Sequence, residues 1–467
     1  MTEPHEGLPL PRRAFAILAL SCGTALAVLD GAIVTVALPT MARELHVTPE
    51  AAVLVVTVYQ LVLVMAILPL SALGSRIGLR RLYQAGQALF IAASVLCFFA
   101  RSLPFLLAIR ALQALGAAAS LSVSSALIRF TYPLRRLGFG LGLNGIVVAA
   151  AGAAAPALGG LILSALSWPW LFAAAAPLAL VSLFGGRRAL PDPATVSEPY
   201  DVPGALLFAA SIGLVIAGLE AGLHGAGRAM GTAITAAGAL IGAGFVRREL
   251  GARHPILPVD LLRQPVLGLS ALGGLVAFVA SMTVMLSMPF RLETHFGFTP
   301  REVGGVLIAW PLSLMVVGPV SGWLSDRIPA AVLGAVGMAV AVAALVLLAR
   351  LPAGASHAAV AWRLALCGSG FGLFLAPNAR MIVQSAPPAR APSAGGLVST
   401  TRLVGQTLGA TLLAALLAAG AGSTATPAYT AAVLAAVAGL CGVARLGRSA
   451  RAARASDGAE SARRGEV

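Results

Sequence analysis

The chain has 467 residues, of which 58% are hydrophobic and 10% are charged, whereas soluble domains carry about 25% charged residues. The net charge is +15, and every basic residue is an arginine. Long apolar runs, separated by short polar breaks, exclude a soluble domain and predict an all-α polytopic membrane protein. The arginines lie at the ends of these runs rather than in one patch, which argues against a nucleic-acid partner.

Fourteen apolar segments follow one another along the chain. Each is long enough to cross a hydrocarbon layer of about 30 Å. Twelve spans is the alternative, because two of the segments, 229–248 and 427–446, are rich in Ala and Gly. The predicted spans are roughly 14–37, 51–73, 80–100, 103–128, 138–163, 169–186, 202–222, 229–248, 266–290, 302–324, 331–350, 357–381, 394–419 and 427–446.

The arginines of the connecting segments predict the orientation of the chain. If the N terminus is cytoplasmic, the inside segments hold about 23 arginines and the outside loops about six, the inequality that the positive-inside rule describes. This predicts an even number of spans with both termini in the cytoplasm. We expect a multi-pass protein of a bacterial cytoplasmic (inner) membrane.

The chain also shows an internal duplication. The break after span two, residues 71–81, is similar to the break after span ten, residues 322–329. Two six-helix bundles around a central cavity follow from this, with two extra helices between them. The predicted domains are an N-terminal bundle (1–190), a central two-helix insertion (191–255), a C-terminal bundle (256–447) and a disordered cytoplasmic tail (448–467).

Asp30 is a lone carboxylate inside the first apolar span. A charge at that depth is costly and marks a candidate functional site, and a carboxyl group there could carry a proton. The alternative is a solvated acid at a helix end, or a buried acid that only joins two helices. Arg110 is the second deep ionisable group in the first half, with Gln113 one helical turn later. A snorkelling helix-end arginine is the alternative for Arg110.

Several segments in order resemble a fourteen-span member of the major facilitator superfamily, in the drug:proton antiporter branch often called EmrB/QacA. Residues 29–39 are similar to its Leu-Asp-x-Thr-Ile-Val-Asn-Val-Ala-Leu-Pro signature, and residues 110–116 to its Arg-x-x-Gln-Gly-x-Gly element. Residues 152–160 are similar to the antiporter element that ends in Gly-Pro-x-x-Gly-Gly. The resemblance implies that Asp30 and Arg110 are neighbours that face the cavity and couple transport to protons. Gln113 would then hydrogen-bond in the same cavity and line it.

The resemblance also implies roles for the fifth helix and for two cytoplasmic turns. The fifth helix would seal the two halves, although an ordinary Gly/Ala packing face fits the residues equally; its residues are Gly152, Pro156, Gly159 and Gly160. The turns would gate the conformational change through Ser75, Arg76, Gly78, Arg80, Asp326 and Arg327. Ser75 stands where the family usually has Asp, so it cannot form the salt bridge expected there.

Three further residues are candidates for the cavity wall. Met285 belongs to an adaptable apolar stripe in span nine, and Arg402 and Gln406 lie one turn apart in span thirteen. Ordinary packing is the alternative for each. We predict no metal site, cofactor or catalytic residue, and without Lys the chain cannot carry a phosphate-binding Gly-x-x-x-x-Gly-Lys motif.

The predicted function is proton-coupled export of lipophilic or cationic small molecules by alternating access, and not an enzymatic activity. The partners are the substrate, protons and the lipid bilayer, and the need for a periplasmic adaptor stays open. Two alternatives remain. One is a dedicated exporter of a single endogenous metabolite, and the other is a sensor or accessory membrane protein that does not transport.

Overall fold

The computed structural model describes residues 7–133, 136–193, 201–223, 227–252, 256–257, 259–325, 327–386 and 391–465. Within these ranges the regular elements are α-helices, with a short 3₁₀ helix at Val259–Arg263. The helices are α1 Leu10–Glu44, α2 Pro49–Ile77, α3 Leu79–Phe98, α4 Leu103–Thr131, α5 Leu137–Ala165, α6 Trp170–Ala174, α7 Ala176–Ala189, α8 Val202–Leu223, α9 Arg228–Gly251, α10 Pro265–Phe296, α11 Pro300–Leu307, α12 Ala309–Leu324, α13 Ala330–Ala349, α14 His357–Gln384, α15 Ala391–Ala418 and α16 Thr426–Gly465.

Thirteen helical segments in the described chain are long and apolar enough to cross a membrane. Two of them contain a break: α6 and α7 form one segment, and so do α11 and α12. Pro177 and Pro311 explain the breaks, because each lacks the N–H that would bond to the carbonyl four residues earlier. The helix α3 is absent from the thirteen, since Arg80, Arg81 and two glutamines lower its mean hydropathy. The predicted count of fourteen spans therefore stays a prediction.

The helices pack as two groups that meet along several pairs of helices. In the first half, α3 and α2 pack on α4, and α1 packs on α5 and α7. In the second half, α10 packs on α15 and α16, and α14 packs on α12 and α13. The two groups meet where α2 contacts α15, α5 contacts α11 and α1 contacts α10. The helices α8 and α9 pack on each other, and α8 also contacts α2 and α15.

We name the two ends of this assembly by their charge. The Arg-poor end holds the turns between α1 and α2, α3 and α4, and α10 and α11. The Arg-rich end holds the turn between α2 and α3 and the last turn of α7. The two groups touch closely at the Arg-poor end, where Arg43 of α1 forms a 2.8 Å ion pair with Glu293 of α10. That ion pair ties the two halves together at this end.

The last helix is longer than the sequence predicts. The structure has helical backbone through Gly465, where we expected a disordered tail over residues 448–467. The segment is rich in Ala and Arg, both strong helix formers, which accounts for the difference. The predicted boundaries of the two bundles and of the central insertion stay predictions.

Candidate functional site

Asp30 and Arg110 form an ion pair inside the first half of the molecule. Asp30 lies near the middle of α1 and Arg110 in the second turn of α4. The Arg110 guanidinium donates through Nη1 to Asp30 Oδ2 at 2.6 Å, and both side chains are completely buried. A charge-assisted hydrogen bond of this length is among the stronger polar contacts in proteins, and here it joins α1 to α4.

Gln113 completes the polar cluster. Its Nε2 donates to Asp30 Oδ1 at 3.0 Å and to Ser94 Oγ at 2.9 Å, and its Oε1 accepts from Arg110 Nη1 at 2.6 Å. Arg110 and Gln113 lie three residues apart on α4, so both point to the same face of the helix. Both oxygens of the Asp30 carboxylate therefore have a donor, and the ionised form of Asp30 is well matched to its surroundings.

Two aromatic rings and a backbone carbonyl hold the guanidinium in place. Its carbon lies 4.2 Å from the centre of the Tyr59 ring and 5.4 Å from that of Phe172, distances at which an arginine is attracted by the ring faces. Arg110 Nε donates to the Val55 carbonyl at 3.3 Å. Arg110 Nη2 is buried and has no hydrogen-bond partner among the described residues. The guanidinium thus has one donor group available for a different arrangement of its neighbours.

The arrangement of charges makes the cluster sensitive to a proton. Protonation of Asp30 replaces an acceptor with an O–H donor, which opposes the donors of Arg110 and Gln113. The ion pair is then lost and Arg110 stays charged in an apolar interior, a costly state. Protonation of Asp30 would therefore weaken the contact between α1 and α4 that is seen in this structure.

The structure corrects one expectation about this cluster. We expected Asp30 and Arg110 to face the central cavity and Gln113 to line it. All three side chains are 0% exposed, because Tyr59, Ser94 and Phe172 enclose them. In this structure the cluster lies inside the first bundle and not on an open cavity wall.

The small residues of α5 lie at two different contacts. A Cβ atom on Gly152 would lie 3.4 Å from the Val28 side chain, and one on Gly159 would lie 3.1 Å from the Ile33 carbonyl oxygen. Both positions therefore face α1. A Cβ on Gly160 would lie 2.7 Å from the Pro300 carbonyl and 3.1 Å from the Gly304 Cα. The Gly160 face of α5 therefore crosses α11 without room for a side chain.

The structure describes four of the six predicted gating residues in full. Gly78 has φ +104°, a conformation that favours glycine, and Arg80 donates to the Arg187 carbonyl. The Arg327 guanidinium lies 3.9 Å from the centre of the Trp323 ring. Arg76 is exposed at the end of α2. Ser75 belongs to α2, but its side chain is outside the described part of the structure, as is the whole of Asp326.

The predicted cavity residues of the second half differ in exposure. Arg402 is exposed on α15, Gln406 is half-buried one turn later, and Met285 is half-buried on α10. In the described chain, no group of three or more His, Cys, Asp or Glu residues is arranged to hold a metal ion.

Sequence reasoning missed Tyr59, Ser94 and Phe172. Ser94 and Tyr59 carry a weak signal, since each is a polar residue within an apolar span. Phe172 carries none, because aromatic residues are ordinary in such helices.

The chain matches the Major Facilitator Superfamily over residues 20–410 and again over 270–466. It is 42% identical over 414 residues to the uncharacterized transporter YebQ of Escherichia coli K12, covering 88% of this chain and 91% of the relative. It is 30% identical over 423 residues to the tetracenomycin C resistance and export protein of Streptomyces glaucescens, covering 89% and 77%. The riboflavin transporter RibZ of Clostridioides difficile is 27% identical over 401 residues, covering 85% and 87%.

A solved structure has the same fold. The inward-facing, unoccupied crystal structure of a bacterial homologue of the human lysosomal transporter Spinster superposes with a TM-score of 0.66. The match covers 94% of this chain and 98% of that one, at 17% sequence identity. Together with the sequence matches, this shows that the chain belongs to the Major Facilitator Superfamily and is a multi-pass membrane transporter of that fold.

Proposed function

We propose that this protein is a proton-coupled exporter of lipophilic small molecules, in the fourteen-span drug:proton antiporter branch of its superfamily. Its two termini lie in the cytoplasm and it works in a bacterial inner membrane. The single observation that carries the proposal is the buried Asp30–Arg110–Gln113 cluster, which joins α1 to α4 and depends on the ionisation of one carboxylate.

The coupling runs through this cluster. With Asp30 ionised, the ion pair holds α1 against α4. A proton that enters from the outside neutralises Asp30 and breaks the ion pair. The bundle then favours a second packing of α1 against α4, as in other switches in which a local change of charge selects between two conformations. Release of that proton to the cytoplasm restores the ion pair. Substrate moves outward in the same cycle.

The direction of transport rests on relatives. The Streptomyces relative is a resistance and export protein, and the multidrug resistance protein Stp of Mycobacterium tuberculosis is 28% identical over 414 residues. Such names favour export of toxic compounds. The Clostridioides relative is a riboflavin transporter, which favours the second candidate function, transport of a single metabolite.

Flux measurements with reconstituted protein test the proposal. Proteoliposomes loaded with a lipophilic fluorescent dye receive an imposed pH gradient, and dye movement is followed with and without an ionophore that abolishes the gradient. We expect gradient-driven movement with the wild type and none with Asp30→Asn. The matched control is Asp201→Asn, an acid outside the spans, which keeps coupled movement.

Three outcomes separate the candidates. Unchanged coupled movement with Asp30→Asn would refute the role of this residue. Movement of one compound from a broad panel would favour the single-metabolite transporter. Binding without movement of any compound would favour a sensor or accessory protein.

A further inference from the structure

Arg402 lies on the side of α15 that faces the space between the two bundles. At about 100° per residue, it is about 60° from Gly405 and opposite Thr411. Gly405 faces α10, where an added Cβ would lie 2.7 Å from both the Leu275 carbonyl and the Phe278 side chain. Thr411 faces α8 through a 2.8 Å hydrogen bond to Glu220. Arg402 therefore points away from α8, the outer neighbour of α15.

The second boundary of this face is α2. The helix α15 packs on α2, and Leu403, Ala410 and Ala414, which share one side of α15, are buried. Arg402 is about 100° from Leu403 around the helix. It therefore lies in the gap between the α10 contact and the buried side of α15 that carries Leu403, and it is exposed there.

The guanidinium of Arg402 has no partner of opposite charge in this gap. It makes no hydrogen bond or ion pair with any residue that the structure describes, and neither does Gln406 one turn later. The sequence places no charged residue on α2 between Glu50 and Arg76, and none on α10 between Pro265 and Phe290. The one carboxylate deep in the first bundle, Asp30, already pairs with Arg110.

The wall beside Arg402 is apolar. Leu275, Phe278 and Met282 of α10 are half-buried along the edge of the gap. A charged side chain at this depth is costly unless it faces water or a partner, and a guanidinium matches the oxygens of a carboxylate or similar anion in a bidentate geometry. The gap thus offers the Arg402 guanidinium, an amide and an apolar surface, and on the same face of α15 Gly395 and Val398 line a pocket together with Arg380 of α14.

We propose that Arg402, assisted by Gln406, is the substrate-recognition site for a lipophilic, aromatic compound that carries one anionic oxygen group. This inference rests on the proposed transport function and names its substrate class. It also disfavours the cationic substrates that the sequence predicts, because an unneutralised guanidinium repels a second positive charge in a medium of low dielectric constant.

Two bicyclic aromatic probes of similar size and opposite charge test this class. They are 2-naphthoate and N-methylquinolinium, and their binding to the full chain in nanodiscs is measured by calorimetry, with empty nanodiscs subtracted. We expect the wild type to bind 2-naphthoate more tightly. Arg402→Gln should weaken 2-naphthoate binding by about 10- to 100-fold, the worth of a hydrogen bond between charged groups, and leave N-methylquinolinium unchanged or bound more tightly.

Two further variants test whether the effect on binding is specific to the positive charge at position 402. Arg402→Lys retains the charge and should retain most of the 2-naphthoate affinity. Arg350→Gln removes an exposed arginine at the Arg-poor end and should change neither probe. The proposal is overturned if the wild type binds the cation as well as the anion, or binds neither, or if Arg402→Gln leaves 2-naphthoate binding unchanged.

The test separates this inference from the proposed function. Binding that depends on Arg402, in protein whose flux does not respond to a pH gradient, would leave the recognition site standing and remove proton coupling. The opposite result is also possible: gradient-driven flux that Asp30→Asn abolishes, and 2-naphthoate binding that is unchanged in Arg402→Gln. It would support proton coupling and remove the recognition site.

Discussion

The crossing of α5 and α11 predicts that one methyl group will open the Arg-poor end. In this structure a Cβ on Gly304 would lie 2.9 Å from the Gly160 Cα and 3.0 Å from its nitrogen, and closer still to the Pro156 carbonyl oxygen. Ordinary contact begins near 3.4 Å. The variant Gly304→Ala therefore forces the two helices apart by about half an ångström or more, because the obstacle is backbone that cannot rotate away.

The magnitude follows from the cost of overpacking. Extra methyl groups in a packed interface cost about 1–3 kcal/mol. A conformation in which α5 and α11 have separated does not bear this cost, so the ratio of open to closed molecules should rise by about 5- to 150-fold. The effect is confined to the end where Arg43 also pairs with Glu293.

Spin labels on both halves measure the change. Labels at His46→Cys and His295→Cys, both exposed at the Arg-poor end, report the distance between the bundles by double electron–electron resonance. The four native cysteines are buried, so the introduced sites label selectively. Gly304→Ala should add or enlarge a population at longer distance.

The matched control is the next residue along the helix. A Cβ on Gly305 would meet nothing within 4 Å, so Gly305→Ala should keep the wild-type distance distribution. The reasoning is refuted if Gly304→Ala leaves the distribution unchanged, or if Gly305→Ala shifts it equally.

Two further predictions concern stability. Gln113→Leu removes a donor to Asp30 and to Ser94, and should lower the free energy of unfolding by about 1–3 kcal/mol; a wild-type melting temperature, followed with a thiol-reactive dye, would contradict this. Hydrogen bonds from Arg248 lower the pKa of the Asp201 carboxyl, so this pair stabilises above the unfolded pKa of about 3.9 and loses its effect as the pH falls through the lower folded value. Asp201→Asn should therefore cost up to about 1 kcal/mol at pH 7 and progressively less as the pH falls below the unfolded pKa of about 3.9; a difference that does not shrink as the pH falls would refute the assignment.

The length of the apolar runs was enough to predict helices across a membrane, and the depth of Asp30 was enough to single it out. Both predictions rest on the free-energy cost of burying a charge or an unpaired backbone group in lipid. Because this cost is high, spanning segments are helical and a charge within one marks a candidate functional site. The contact between Asp30 and Arg110 joins residues 80 positions apart. No spacing rule predicts such a contact, and only the resemblance to a family suggested it.

Other features depend on tertiary packing that the sequence does not encode locally. The enclosure of the cluster by Tyr59 and Phe172, and hence its separation from the cavity, needed the structure. The close crossing at Gly304 likewise has no local signature, since Gly305 beside it faces open space.

The central claim is that Asp30 carries the proton that the proposed transport cycle exchanges for substrate. The most direct measurement adds a saturating amount of the transported dye to purified protein in weak buffer, with a pH indicator that counts released protons. We predict that, at a pH at which part of the free wild type is protonated at Asp30, dye binding releases protons, and that Asp30→Asn, which still binds the dye, releases none. Equal proton release from both proteins would contradict the account.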